Sequence, residues 1–189
     1  MDRAVTKLGR EVSLMKATGI VRRIDDLGRI VIPKEIRRTL RIRERDALEI
    51  FTDRDGEVIL KKYSPIADLE DFAQEYADSL YESTGHVTLI TDRDAYIAVS
   101  GASRKAFLGK SLPEEIEERM DERSPFNSQS GGARLPIPGF EEAHQLLVPI
   151  IHDGDVVGSI ILLSKEKPLA DLETTLCKTA ADFLAKQLG

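Results

Sequence analysis

TGIVRRIDDLGRIVIPKEIRRTL, residues 18–40, decides how this chain is read. Ile20, Val21 and Ile24 flank Arg22 and Arg23, the pattern of a short strand. Asp25-Asp26-Leu27-Gly28 makes a turn, and Arg29-Ile30-Val31-Ile32 makes a second strand. Pro33 has no amide hydrogen to give to a ladder and ends that strand. Residues 34–40 read as one short helix, with Ile36 and Leu40 four apart on its inner face and Arg37 and Arg38 directed elsewhere. Arginines therefore stand on both strands, beside the turn and on the helix. Core packing has no use for that arrangement; gripping a polyanion does.

Outward from this stretch, residues 47–52 and 57–61 form a second strand pair across Asp53-Arg54-Asp55-Gly56. Together, residues 16–62 make a module of only 47 residues. A chain that short removes too little surface from water to fold well alone, and it has no disulfide or metal to compensate. Its strands are apolar on both faces, as in Ile30-Val31-Ile32, where a half-exposed sheet would alternate. An intertwined dimer in which two chains share one core meets both conditions.

Charge divides the chain in the same place. The net charge of -6 hides 16 Lys+Arg against 11 Asp+Glu in residues 1–62, and 11 against 22 in residues 63–189. A basic end joined to an acidic remainder reads as a nucleic-acid-binding module fused to something else. Residues 16–43 hold nine basic residues, three acids and no aromatic. Single strands are usually held by stacking on aromatic rings, so the target is duplex DNA. Arg22, Arg23, Arg29, Arg37 and Arg38 supply planar forked donors for phosphates and guanine edges.

The remainder, residues 64–189, alternates helix, strand pair, helix, hairpin and helix. Ser64 caps and Pro65 opens the first helix, whose apolar stripe runs from Ile66 to Leu80. Strands follow at residues 87–91 and 96–99, and a broken helical region runs from 103 to about 123. Residues 125–142, rich in Gly, Pro and Ser, read as a long mobile loop. A hairpin across Asp153-Gly154 leads to a last helix with Leu169, Leu172, Leu176, Ala180, Phe183, Leu184 and Leu188 on one face. The order implies an antiparallel sheet with both long helices on one side. Both stripes are too rich for one-sided packing and imply helix-to-helix assembly into a tetramer.

Several classes are excluded. The chain of 189 residues is 41% hydrophobic, enough for packed cores in one or two domains. The single Cys177 rules out an internal disulfide framework and fits a reducing cytosol. Residues 1–14 read as a loose extension without the apolar core of a signal peptide. The longest apolar stretch, at 156–163, is broken by Gly158 and Ser159 and is far short of a membrane span. His86, His144 and His152 lack metal-ligand spacing, and Cys177 sits mid-helix near the apolar stripe. Neither GAS at 101–103 nor QSGGAR at 129–134 matches a phosphate loop, and Glu114, Glu115, Glu117 and Glu118 read as a solvated helix face. No catalytic set, metal or cofactor is expected.

On TGIVRRIDDLGRIVIPKEIRRTL and the following DALEIFTDRDGEVILKKY, the N-terminal segment resembles the AbrB-type transition-state regulator domain. That resemblance covers residues 15–63 and leaves 1–14 outside. It implies a swapped-hairpin β-barrel dimer, with DNA-contacting arginines at Arg22, Arg29, Arg37 and Arg38 and a further basic position at Arg23. It departs at Arg45, before Asp46, where the family commonly has Gly; a positive φ there would cost roughly 1 kcal/mol. Residues 64–189 are similar to a GAF domain, which implies assembly or small-molecule sensing, with residues 103–142 as a lid over the ligand. The expected fold is thus two-domain α+β. The expected function is a nucleoid-associated, cytoplasmic regulator of sporulation genes, activating or repressing. An antitoxin using the same barrel, with a protein partner for its C-terminal part, is the alternative; such tails are typically short and disordered. A ligand-gated spacing of the DNA-binding heads extends the main reading.

Overall fold

A computed structural model describes residues 19–44, 46–131 and 133–188. The N-terminal extension and Arg45 lie outside the described residues. The chain divides into two compact units between Asp46 and Ala47.

In the first unit, residues 19–33 run extended into and out of one turn, and α1 (Lys34–Thr39) follows Pro33. Among the described residues, the two strands expected here form no ladder with each other or with any other segment. Ile20, Val21, Ile24, Leu27, Ile30, Val31 and Leu40 are all exposed, Val21 at 84% and Val31 at 71%. Leu40 therefore does not sit on an inner face within one chain, and Ile36 is only half-buried. A strand needs a neighbouring strand for its N–H and C=O groups, and the described residues supply no ladder here.

The second unit begins with a hairpin, β1 (Leu48–Thr52) paired antiparallel with β2 (Val58–Lys62). Next comes a 3₁₀ turn over Pro65–Leu69 and then α2 (Glu70–Thr84). Pro65 opens the turn as expected, but the Ser64 hydroxyl does not cap it and reaches Asp92 instead. α2 ends at Gly85, left-handed at φ +71°, whose N–H donates to the Tyr81 carbonyl. The following elements are β3 (Val87–Thr91), β4 (Tyr96–Ser100), α3 (Arg104–Phe107), α4 (Glu114–Asp121), β5 (Phe126–Asn127), β6 (His144–His152), β7 (Asp155–Ser164) and α5 (Asp171–Lys186). Five strands form one antiparallel sheet in the order β4-β3-β7-β6-β5.

Side chains alternate across this sheet. Ile90, Leu146, Val148, Ile160 and Leu162 face α2 and α5, where they meet Ala73, Ala77, Ala180 and Leu184. Leu89, Leu147, Ile161 and Leu163 face the other way, onto Phe107, Ile116, Met120, Leu135 and Ile137. Both faces are covered, which explains strands that are apolar at nearly every position.

The segment 125–142 is not the loose loop its composition implies. It contributes β5 and buries Leu135 and Ile137. Gln145, fully buried on β6, pins it: the Leu135 N–H donates to Oε1 at 2.6 Å, and Nε2 donates to the carbonyls of Leu135 and Phe140 at 2.9 and 3.0 Å. Gln145→Leu leaves the Leu135 N–H buried without a partner and takes a second donor from the Leu135 and Phe140 carbonyls, which keep only the Ile137 and Ala143 N–H groups. Unfolding free energy in urea is expected to fall by about 3 kcal/mol, with proteolytic cleavage concentrated in 128–143.

Candidate nucleic-acid interface

Asp25 builds the turn that carries the arginines. Its Oδ1 accepts the N–H groups of Leu27 at 3.0 Å and Arg29 at 2.8 Å, an Asx-type turn. The main chain closes twice, Asp25 N–H to the Arg29 carbonyl and Gly28 N–H to the Asp25 carbonyl, both at 3.0 Å. Gly28 takes φ +76°, which a side chain would resist. Oδ2 accepts the Arg29 Nε–H at 2.8 Å, while the Arg29 side chain stays 69% exposed. The Arg29 N–H, then its guanidinium, and also the Leu27 N–H hold the Asp25 carboxyl below its ordinary value of 3.8.

The second hairpin repeats this turn. Asp53 Oδ1 accepts the N–H groups of Asp55 and Glu57 at 3.0 and 2.9 Å, Asp53 N–H donates to the Glu57 carbonyl, and Gly56 takes φ +84°. Position by position, Glu57 stands where the first turn has Arg29, and Ile50 and Phe51 stand where it has Arg22 and Arg23. One backbone device thus appears twice, once basic and once acidic. Among the described residues, only the acidic copy has its flanks paired in a ladder.

All five candidate arginines are exposed and lie in the first unit. Arg22 donates from Nη1 to the Val21 carbonyl at 3.2 Å, and Arg23 is its neighbour. Arg37 and Arg38 occupy the last turn of α1, where positive charge suits the helix C-terminus. The Ile42 N–H donates to the Arg37 carbonyl at 2.7 Å and the Arg41 N–H to the Arg38 carbonyl at 3.3 Å, a Schellman closure with Arg41 left-handed at φ +51°. Sequence reasoning missed Asp25 as the residue that orients Arg29, although an Asp four positions before an Arg across a Gly turn was visible. The positive φ considered at Arg45 lies outside the described residues; Arg41, not singled out in the sequence, takes φ +51°.

In the second unit, burial pushes the Cys177 thiol up to about 12, helped by the nearby Glu173 charge. His152 Nδ1 lies 2.9 Å from the Ala185 carbonyl, and His86 lies 4.0 Å from Glu173. Among the described residues, no group of three or more His, Cys, Asp or Glu side chains is placed to hold a metal. No helix there is long and apolar enough to cross a membrane. Packed against Phe107 of α3, Tyr96 has its Oη buried without a hydrogen-bond partner, and desolvation raises its hydroxyl to about 12.

Known proteins match both halves. Residues 68–189 fit the family described as stage V sporulation protein T C-terminal, transcription factor, and residues 21–68 fit antidote-toxin recognition MazE, bacterial antitoxin. The transition state regulatory protein AbrB of Bacillus subtilis (strain 168) is 51% identical over 75 residues, 40% of this chain and 77% of that protein. The GAF domain of an Acinetobacter phosphoenolpyruvate-protein phosphotransferase superposes with a TM-score of 0.56 at 15% identity, covering 65% of this chain and 87% of that one. An AbrB-type N-terminal segment followed by a GAF fold defines a two-domain α+β transcription factor. Stage V sporulation protein T of Bacillus subtilis (strain 168) is 57% identical over 176 residues, 92% of this chain and 99% of that protein. The chain belongs to the stage V sporulation protein T family.

Because the folded-state value of Asp25 is depressed, its contribution to the turn is complete above the ordinary carboxylate value. It is lost as pH falls through the lowered value. In an NMR titration Asp25 is expected to ionise below 3.8, and Arg29→Ala to move it upward.

Proposed function

We infer that residues 15–63 form a DNA-binding head that is complete only as a dimer. Two chains interleave their 19–33 segments into a swapped-hairpin barrel, and Arg22, Arg23, Arg29, Arg37 and Arg38 of both chains grip duplex DNA. The observation that carries this reading is the repeated turn. Its acidic copy sits in a ladder, while its basic copy has strand-like flanks that expose Val21, Ile24, Ile30 and Val31 and form no ladder among the described residues. A second chain supplies the missing ladder and covers those side chains. The acidic remainder repels phosphate, so contact is confined to the head. The role is regulatory and not enzymatic, and DNA binding places the protein at the nucleoid in the cytoplasm.

Residues 64–189 serve assembly. Phe72, Tyr81, Leu172 and Phe183 are exposed on α2 and α5, Leu172 at 67%, and Tyr76 stacks on Phe183 with ring centroids 4.9 Å apart. That surface joins GAF domains of neighbouring dimers into a tetramer. A small ligand under the lid would meet the unpartnered Tyr96 hydroxyl. An antitoxin role takes support from the head alone, since a folded unit with its sheet covered on both faces follows where a short toxin-binding tail would stand.

With about eight phosphates neutralised per dimer, duplex affinity should fall roughly 10⁴-fold between 50 and 200 mM salt. Arg29→Ala with Arg37→Ala should abolish most binding at low salt; unchanged affinity would refute the assignment. Light scattering at micromolar concentration should give a tetramer that Leu172→Glu with Phe183→Glu reduces to dimers. A wild-type dimer contradicts the assembly role.

A further inference from the structure

Three consecutive residues between β3 and β4 each reach a different part of the second unit. Asp94 Oδ2 pairs with Lys62 Nζ at 2.5 Å, the last residue of hairpin strand β2. Asp92 Oδ2 accepts the Ser64 hydroxyl at 3.1 Å, at the start of the connector that leaves that hairpin. Arg93 Nη1 pairs with Asp121 Oδ1 at 2.8 Å, the last residue of lid helix α4.

The turn itself is stiff. Asp92 Oδ1 accepts the N–H groups of Asp94 and Ala95, both at 2.7 Å, and Asp92 N–H donates to the Ala95 carbonyl. Its root is fixed too: β7 passes so close that a Cβ on Gly158 would lie 2.0 Å from the Thr91 carbonyl oxygen. Backbone bonds tie the lid loop to the same place. Leu112 N–H donates to the Asp94 carbonyl at 2.8 Å, and Gly109 N–H to the Tyr96 carbonyl at 2.8 Å.

We propose that the Asp92-Arg93-Asp94 turn is a coupling latch between the GAF lid and the acidic β1–β2 hairpin of the DNA-binding head. Partly exposed ion pairs of this kind contribute little to stability. Their consequence is positional: a rigid turn held to α4 on one side and to Lys62 and Ser64 on the other cannot follow the lid without moving the hairpin. Anything that displaces the lid, including an occupant at Tyr96, then changes how the hairpin is held. By linkage, duplex bound at the head must change the lid equally. This proposal rests on the DNA-binding reading above and names how that site is regulated.

Hydrogen exchange on the full chain tests it, with and without saturating random-sequence duplex at low salt. In the wild type, duplex should change exchange of the 108–121 amides by about fivefold or more. Arg93→Gln and, separately, Asp121→Asn should still bind duplex but lose that response, and Arg93→Asp combined with Asp121→Arg should restore it. A duplex-bound wild type with unchanged lid exchange overturns the latch while leaving the DNA-binding reading intact. So does a response that survives in both single variants. Failure of the wild type to bind duplex overturns the DNA-binding reading and the latch with it.

Discussion

Water is a poor neighbour for Val21, Ile24, Ile30 and Val31, yet all four side chains stay exposed in a single chain. Covering such side chains is worth roughly 1–2 kcal/mol each. The strand-shaped backbone that carries them also lacks ladder partners, which adds to the deficit. This unmet burial is the constraint on which the rest depends. In the proposed dimer it makes the basic turn part of an interface and brings the arginines of two chains to one surface. The following hairpin shows how the same turn behaves once its flanks are paired.

Charge and shape then divide the work. Asp25 is an acid in the middle of a basic surface, which looks counterproductive for DNA binding. Its carboxylate is already used by two backbone N–H groups and by the Arg29 Nε–H, so little of its charge is left to face phosphate. In return Arg29 is held in one orientation before any DNA arrives, which lowers the ordering cost of contact. Arg37 and Arg38 are fixed differently, by a helix end whose last carbonyls are closed by Arg41 and Ile42. Two unrelated local devices thus present the same kind of donor.

Much of this was legible in the sequence because it is local. The Asp25–Gly28 turn, the Pro33 stop, the one-turn helix and the Asp153-Gly154 hairpin are written in adjacent residues. The element order of the GAF half was legible for the same reason. What was hidden depends on distant partners. Nothing near residues 125–142 announces that Gln145 will take three of that segment's backbone groups, so its Gly, Pro and Ser content read as mobility. Ser64 looked like a helix cap because its real partner, Asp92, is 28 positions away. Residues 20–24 and 29–32 read as strands, and the structure shows them without a ladder among the described residues. Even so, their apolar character on both faces pointed to a neighbour.

The central claim is that this neighbour is a second copy of the same chain. Isotope-filtered NOE measurements on mixed dimers of ¹³C-labelled and unlabelled full-length protein test it directly. Cross-chain NOEs from the methyls of Ile20, Val21, Ile30 and Val31 are the result the account predicts. Finding only intrachain NOEs for those methyls, in a protein that binds duplex, would contradict it.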